Sequence, residues 1–229
     1  MKKSILFAAL CCVAAGFAAC DKNEPKDGSN NNDPKNDTKE AIDLGLSVKW
    51  ATCNVGATSP EKYGNYYAWG ETTTKSDYSW ETYKYGSNYD ALTKYNTDSD
   101  YGTVDNKTTL EASDDAATAN WGSAWRMPTD GEWTELRENC EWIWTDSYQT
   151  TGVAGYWVTG KNGNTIFLPA AGWRYDGSLG RAGYYGDYWS SSLDADFPSY
   201  AWGAYSSSGG VVGNNYDRSY GLSVRPVRR

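Results

Sequence analysis

The chain of 229 residues contains no histidine. Histidine is the usual base of serine and cysteine hydrolases and the commonest protein ligand of zinc and copper, so its absence excludes Ser-His-Asp and Cys-His catalysis. Positive charge is also scarce, because 21 Lys and Arg stand against 29 Asp and Glu and leave a net charge of −8. Nucleic acids and anionic membrane surfaces attract clustered Lys and Arg, so we expect neither as a partner. The one arginine cluster, formed by Arg225, Arg228 and Arg229, is interpreted as a solvated tail.

Phenylalanine is scarce as well, with 4 residues against 12 Trp and 19 Tyr, and every Trp and Tyr lies beyond residue 49. Tryptophan and tyrosine combine an apolar ring with a polar edge, which suits half-buried positions and surfaces that face a ligand. The composition therefore predicts that rings fill both the core and part of the surface after residue 49.

The first 19 residues have the pattern of a secretion signal. Two lysines precede an apolar run at residues 5–17, which is too short to remain as a membrane span, and two alanines and Cys20 follow it. This order resembles the lipobox of bacterial lipoproteins, in which the cysteine is acylated and the signal is removed. The resemblance implies that Cys20 is the lipidated first residue of the mature protein. The alternative is an ordinary secretion signal followed by an unmodified cysteine.

A disordered tether and a single domain are predicted beyond the signal. Residues 20–40 form the tether, because the segment after Cys20 has no aliphatic or aromatic side chain with which to build a core. Random-coil scaling gives such a segment a reach of roughly 25 Å. The composition is even over residues 41–229, which predicts one domain there.

Two cysteines remain for the domain, Cys53 and Cys140, since two of the five lie in the predicted signal and Cys20 is the predicted anchor. In an oxidising envelope, two such thiols can form one disulfide. The alternative is a pair of buried free thiols, because the sequence does not place their Cα atoms within bonding range.

Local patterns indicate short strands. Apolar and polar residues alternate over residues 42–57, which is typical of a half-buried strand. An Asn-Gly pair at the centre of residues 161–164 predicts a hairpin between strands at 156–160 and 165–169.

The clearest helix is predicted to begin at Thr129. Thr129 and Glu132 have the spacing of a capping box, and a shorter helix is predicted over residues 114–119. Four residues of the longer helix are expected on one face: Trp133, Leu136, Cys140 and Ile143. Few helices, many short strands and much loop predict an α+β fold.

Four strings resemble the Fibrobacter succinogenes major paralogous domain, a family common among lipoproteins of Bacteroidetes. They are residues 44–51 (LGLSVKWA), 120–129 (NWGSAWRMPT), 188–192 (YWSSS) and 223–227 (SVRPV). The resemblance implies a C-type-lectin-like fold, built of short antiparallel strands with one or two helices and much irregular loop. That fold is shared with formylglycine-generating enzymes and with the variable proteins of retroelements.

Enzymatic activity is not expected. The formylglycine-generating enzymes that share this fold use a cysteine pair near the C-terminus, and no cysteine follows Cys140 here. No flanking pattern marks any pair of carboxylates as catalytic, although acidic residues are common. We therefore predict recognition of a ligand without chemistry and expect no cofactor.

The candidate binding surface lies in the C-terminal third of the chain. Tyrosines there stand among Gly, Ser and Asn, a composition typical of antibody paratopes, and aromatic faces also stack on sugar rings. The alternative is that many of these rings belong to the core. The residues predicted to contact the ligand are Tyr175, Tyr184, Tyr185, Tyr205, Asn214, Asn215 and Tyr216.

An acidic stretch between residues 98 and 115 is a candidate for a structural calcium ion. Its carboxylates supply the oxygen ligands that calcium prefers, although their offsets do not match an EF-hand. The candidate ligands are Asp98, Asp100, Asp105 and Glu111. The alternative is a solvated acidic loop that supplies negative charge to the start of a helix.

Together these patterns predict an outer-membrane lipoprotein, exposed at the cell surface and held to the membrane by its lipid. Its domain is expected to bind a glycan or a protein, with no nucleic-acid partner. The alternative function is a structural or assembly component of the envelope, such as an adhesin.

Overall fold

The computed structural model describes residues 39–229. The predicted signal, the lipidation site Cys20 and nearly all of the predicted tether lie outside the described residues. Within residues 39–229, no helix is both long enough and apolar enough to cross a bilayer.

Strands predominate and helices are few, so the α+β prediction is confirmed. The helices are α1 (Ala116–Trp121) and α2 (Asp130–Asn139), with short 3-10 turns at Trp80–Thr82, Ser99–Tyr101 and Ala112–Asp114. The strands are β1 (Ala41–Ile42), β2 (Lys49–Ala51), β3 (Tyr66–Tyr67), β4 (Glu141–Thr145), β5 (Gly155–Thr159), β6 (Thr165–Pro169), β7 (Trp173–Tyr175), β8 (Ser178–Gly180), β9 (Tyr185–Leu193), β10 (Tyr200–Ser207), β11 (Gly210–Asp217), β12 (Leu222–Ser223) and β13 (Val227–Arg228).

A five-stranded sheet of order β11-β10-β9-β12-β3 forms the centre of the domain. Two three-stranded sheets, β1-β2-β13 and β4-β5-β6, and the β7-β8 hairpin complete it. Because β2 pairs with β13, the first and last parts of the described chain lie side by side.

Alternation along β9 separates two cores on opposite faces of the central sheet. Tyr188 packs on the α2 side, where its ring lies 5.6 Å from that of Trp133. Trp189 points to the other side and joins a second core, formed largely by residues of the long segment between β3 and α1, such as Trp69 and Tyr95, together with Tyr67 of β3. We call this second core the loop core. The sheet is therefore buried on both faces over this part of β9.

The capping box of α2 is present as predicted. Thr129 Oγ1 accepts from the Glu132 backbone N–H at 3.2 Å, and the Glu132 carboxylate accepts from the Thr129 N–H at 2.8 Å. Trp133 and Leu136 are buried. The helix ends at Asn139, however, so the expected position of Ile143 on its apolar face is wrong: Ile143 lies on β4 and is exposed.

The Asn-Gly hairpin is confirmed, whereas the single strand over residues 42–57 is not. β5 and β6 pair from Thr159 opposite Thr165, and Gly163 at the turn has a φ of +85°. In the earlier segment the chain turns at Gly45, whose φ is +78°, so only the short strands β1 and β2 form. A left-handed residue interrupts the alternation that predicted one strand.

Arg225 is fully buried, which corrects its interpretation as part of a solvated tail. Its guanidinium donates to Asn54 Oδ1 at 2.8 Å and to the backbone carbonyls of Ala51, Thr52 and Phe167 at 2.7–2.9 Å. These bonds join the β2 region to β6. Arg225 is thus a structural anchor, while Arg228 and Arg229 are exposed as expected.

Candidate functional site

One face of the β9-β10-β11 unit carries most of the predicted binding residues. Directly opposed residues share a face of an antiparallel sheet, so Asp187 lies beside Tyr205, and Tyr205 beside Val212. Tyr185 and Asn214 lie on this same face by the alternation of β9 and β11. We call this the outer face. The loop core buries this face at Trp189 but does not reach Tyr185 and Tyr205, which are partly exposed, and we call that end the uncovered part of the outer face.

A row of rings continues from the uncovered part of the outer face. The Tyr205 and Tyr185 centroids are 5.3 Å apart, and Trp173 stacks on Tyr185 at 6.1 Å with an interplanar angle of 7°. Tyr175 follows Trp173 on the same face of β7, and its ring lies 5.0 Å from that of Tyr220. These five residues are called the aromatic band. Offset and tilted contacts of this kind stabilise the arrangement of Tyr205, Tyr185 and Trp173, and of Tyr175 with Tyr220.

Two further predicted residues are exposed beside the aromatic band. Tyr184, which precedes β9, has 71% of its surface exposed; within the band itself, Tyr175 has 51%. Asn214 is exposed on β11 opposite Gly203. The structure therefore brings together Tyr175, Tyr185 and Tyr205 and leaves Tyr184 and Asn214 at their edge.

Asn215 and Tyr216 do not take the positions expected of them. Asn215 points to the opposite face, where its Nδ2 donates to Asp194 at 2.7 Å. Tyr216 lies on the outer face but packs edge-on against Trp189 at 5.8 Å, within the loop core. Gly203 makes room for it, because a Cβ there would lie 3.2 Å from the Tyr216 ring. Asn215 and Tyr216 are partly exposed, as Tyr185 and Tyr205 are, but these contacts occupy their side chains and separate them from the aromatic band.

Asp187 marks the boundary between the core and the uncovered part of the outer face. It is 1% exposed, its Oδ1 accepts from the Tyr216 hydroxyl at 2.6 Å, and its Oδ2 has no partner within the described chain. Burial raises the pKa of Asp187 to about 6, and the Tyr216 hydrogen bond opposes this shift. Burial, followed by the charge of Asp187, raises the pKa of Tyr216 well above its usual value.

The four candidate calcium ligands are not gathered into one site. Asp105 accepts from the backbone N–H groups of Tyr95, Asn96 and Lys107, and the carboxylate of Glu111 pairs with Lys94 and Lys107. Asp98 caps the following turn by accepting from the Asp100 N–H. Within residues 39–229, no group of three or more metal-ligating side chains is placed to hold an ion.

Asp114 is the most strongly held carboxylate of this acidic region. Burial disfavours its charge, but hydrogen bonds from Lys94 and the tyrosines Tyr85 and Tyr95 outweigh burial and lower its pKa. Lys84 completes the ion pairs around it. Ion pairs with lysines thus stabilise the loop that carries the acidic stretch. At the end of this stretch, Asp115 caps α1 by accepting a hydrogen bond from the Thr118 N–H at 2.9 Å.

Both cysteines of the domain are free thiols, so the disulfide considered for Cys53 and Cys140 is not formed. Cys53 is buried after β2, with its Sγ 3.7 Å from Thr52 Oγ1, whereas Cys140 ends α2 and packs on the core at that side. The two thiols belong to different parts of the packing. Burial raises the pKa of both thiols, which disfavours the reactive thiolate.

The sequence reasoning did not select Trp173 and Tyr220 of the aromatic band, or Asp187 beneath it. Alternation would have placed Asp187 on the same face as Tyr185 and Trp189, because the three residues are two apart. The pairing of Tyr220 with Tyr175 depends on contacts between distant segments, for which no local pattern exists.

Comparison with known proteins supplies one match. A family model described as a domain of unknown function, DUF8237, matches residues 147–227. This segment is about a third of the chain and includes β5 to β12, and with them the outer face and the aromatic band. Neither the curated proteins nor the solved structures gave a match.

Proposed function

We propose that this chain is a membrane-anchored lipoprotein whose domain binds a glycan through the aromatic band, without catalysing a reaction. The observation that carries the proposal is the aromatic band itself, whose rings are partly exposed, Tyr175 most of all, and which is edged by exposed Tyr184 and Asn214. Flat aromatic faces fit the apolar faces of sugar rings. The neighbouring amide and hydroxyl groups are able to bond to sugar hydroxyls.

The anchor part of the proposal is supported by the order of lysines, apolar residues, small residues and Cys20. An acylated cysteine would hold the chain on the outer membrane, and the polar segment after it would separate the domain from the lipid headgroups. The proposal also includes exposure at the cell surface, because a glycan-binding domain needs access to its ligand.

We also retain the C-type-lectin-like fold and the Fibrobacter succinogenes major paralogous domain as proposals. The four strings that carry this resemblance contain buried core residues, among them Trp50, Met127, Trp189 and Val224. A resemblance that rests on core residues bears on architecture more than on ligand. The proposed glycan specificity therefore rests on the aromatic band alone.

A glycan array probed with the purified protein tests the proposal. Tyr205→Ala removes a ring at one end of the aromatic band, and we expect about a tenfold loss of affinity for the bound glycan, since such ring contacts contribute up to about 1.5 kcal/mol. Tyr184→Ala should weaken binding less, because Tyr184 lies at the edge. Tyr89→Ala is the matched control, since Tyr89 is also exposed but does not belong to the band.

Equal effects of Tyr205→Ala and Tyr89→Ala would refute the assignment to the aromatic band. Absence of glycan binding, together with specific capture of an envelope protein that Tyr205→Ala abolishes, would favour the adhesin or assembly role. The exposed apolar side chains of Leu179 and Val212 would then be the first candidates for contacts with that protein.

A further inference from the structure

A second concave site lies at the open end of the β10-β11 hairpin, away from its Ser207–Gly210 turn. Two loops meet the hairpin there and enclose a cleft of about 830 Å³, a size suited to a small ligand or to one side chain of a larger one. The cleft is lined by Trp80, Tyr89, Asp90, Asp98, Asp100, Tyr101, Asp196, Phe197, Ser199, Tyr200 and Asp217.

The lining of the cleft is strongly acidic. Five of its residues are aspartates and none is lysine or arginine. The ion pairs found among residues 39–229 use other carboxylates, such as Asp114 and Glu111. The negative charge of the cleft is therefore not neutralised by the side chains that line it, and it favours a cationic ligand.

Aromatic rings supply the other half of the lining. Tyr89 and Phe197 are each 55% exposed, and the partly exposed rings of Trp80, Tyr101 and Tyr200 also line the cleft. Burial raises the pKa of the Asp217 carboxyl, and its interaction with the Trp80 side chain opposes that rise. Ring faces attract ammonium and guanidinium groups, and nearby carboxylates pair with them.

Arg218 connects the two loops that form the walls of the cleft. This residue is fully buried, and its guanidinium donates at 3.0 Å to the carbonyls of Lys94, Tyr95 and Pro198. Lys94 and Tyr95 precede the loop that carries Asp98 and Asp100, while Pro198 follows Asp196 and Phe197. The cleft is thus preformed, which reduces the entropy lost on binding.

A metal ion fits this lining poorly. Within the described residues, the carboxylates do not converge in any group of three that could ligate one ion. Aromatic faces, moreover, contribute nothing to the coordination of a hard cation such as calcium. The aspartates and aromatic rings of the lining instead supply the carboxylates and ring faces to which an organic cation binds.

We propose that this cleft binds organic cations that carry a primary ammonium or guanidinium group. The cation would lie between the Phe197 and Tyr89 rings and pair with the exposed carboxylates of Asp100 and Asp196. Such a group is found on lysine and arginine side chains and on free polyamines. This site is distinct from the aromatic band, so the inference does not depend on the proposed glycan binding.

Isothermal titration calorimetry of the purified protein tests the inference. The probes are spermidine and the peptides acetyl-Gly-Arg-Gly-amide and acetyl-Gly-Lys-Gly-amide, with the neutral isostere acetyl-Gly-citrulline-Gly-amide for comparison. We expect saturable binding of at least one cationic probe and none of the citrulline peptide. A preference for spermidine would point to free polyamines, and a preference for a peptide would point to protein side chains.

Two variants assign the binding to the cleft. Asp100→Asn with Asp196→Asn should weaken it about five- to tenfold, and Phe197→Ala about two- to fivefold, because these contacts are only partly desolvated. The matched control is Glu138→Gln with Glu141→Gln, which removes the same charge from two exposed positions outside the cleft. All these side chains are exposed, so the fold should be retained.

Equal weakening by the control pair would show general attraction to an acidic protein and would overturn the proposal. Binding of the citrulline peptide as strong as that of the arginine peptide would overturn it too, as would saturation by calcium alone that displaces the organic cation. Loss of glycan binding in Tyr205→Ala with cation binding unchanged would support two separate sites.

Discussion

Replacing Asp187 by asparagine should change how the stability of the domain depends on pH. Asp187 is almost completely buried, and only its Oδ1 has a partner, the hydroxyl of Tyr216. Asparagine has nearly the same shape and offers a carbonyl oxygen that can accept the same hydrogen bond. The variant therefore removes the buried charge while keeping the contact with Tyr216.

The expected magnitude follows from the pKa of Asp187. Its pKa is about 6 in the folded protein, against about 3.9 for an unperturbed aspartate, and each pKa unit corresponds to 1.36 kcal/mol. The folded state binds the proton more tightly than the unfolded state does. The resulting stabilisation is therefore complete below about pH 4 and is lost as pH rises through about 6, a difference on the order of 3 kcal/mol.

Urea unfolding of the wild type and of Asp187→Asn between pH 3.5 and pH 8 would measure this difference. Across pH 4 to 6, the free energy of unfolding of the wild type should fall relative to that of the variant. Above pH 7, the two curves of unfolding free energy against pH should run parallel. Asp146→Asn, at an exposed position, is the control and should leave the wild-type slope unchanged. Parallel curves for the wild type and Asp187→Asn over the whole range would refute the buried-charge argument.

Three further predictions concern the framework around the sites. Arg225→Met should destabilise the protein by more than about 3 kcal/mol in urea unfolding, because it leaves several buried acceptors without a donor; a loss below about 1 kcal/mol would contradict the anchoring role. Thr129→Ala should cost about 1 kcal/mol through loss of the capping box, and Thr129→Ser should restore most of it. Thiol labelling after denaturation without reductant should modify both Cys53 and Cys140, whereas labelling that requires a reductant would show that they are joined.

The elements that could be predicted from the sequence are those specified by neighbouring residues. The capping box of α2 needs only Thr129 and Glu132, and the β5-β6 hairpin needs an Asn-Gly turn between two apolar segments. The α+β class follows from counting such elements. These signals depend on spacings of a few residues, so the rest of the domain has little influence on them.

The features that the sequence did not reveal depend on contacts between distant segments. In the sequence, Arg225 is one of three nearby arginines and carries no sign of burial. It becomes a structural anchor because its guanidinium donates hydrogen bonds to backbone carbonyls of β2 and β6, which are distant in the sequence. Tyr205 and Tyr216 lie on the same face of the sheet and in similar sequence surroundings. Both are only partly exposed, but Tyr216 packs on Trp189 whereas Tyr205 contacts Tyr185, because the loop core covers only part of that face. The cleft likewise joins residues from five separate segments.

The same sheet face holds both core and candidate site, and this continuity explains how a loop-rich domain can present a defined binding surface. Trp189 is fixed by the loop core and by its hydrogen bond to the Tyr67 carbonyl at 2.7 Å, and two residues away along β9 lies Asp187. A further two residues away, Tyr185 belongs to the aromatic band. Because Trp189 and Tyr185 lie on the same strand, the packing of the core around Trp189 also fixes the position of Tyr185 at the surface. The buried carboxylate of Asp187 lies between these two residues. Exposed residues at the edge of the band, such as Tyr184, should accordingly tolerate substitution without loss of stability, whereas Trp189 should not.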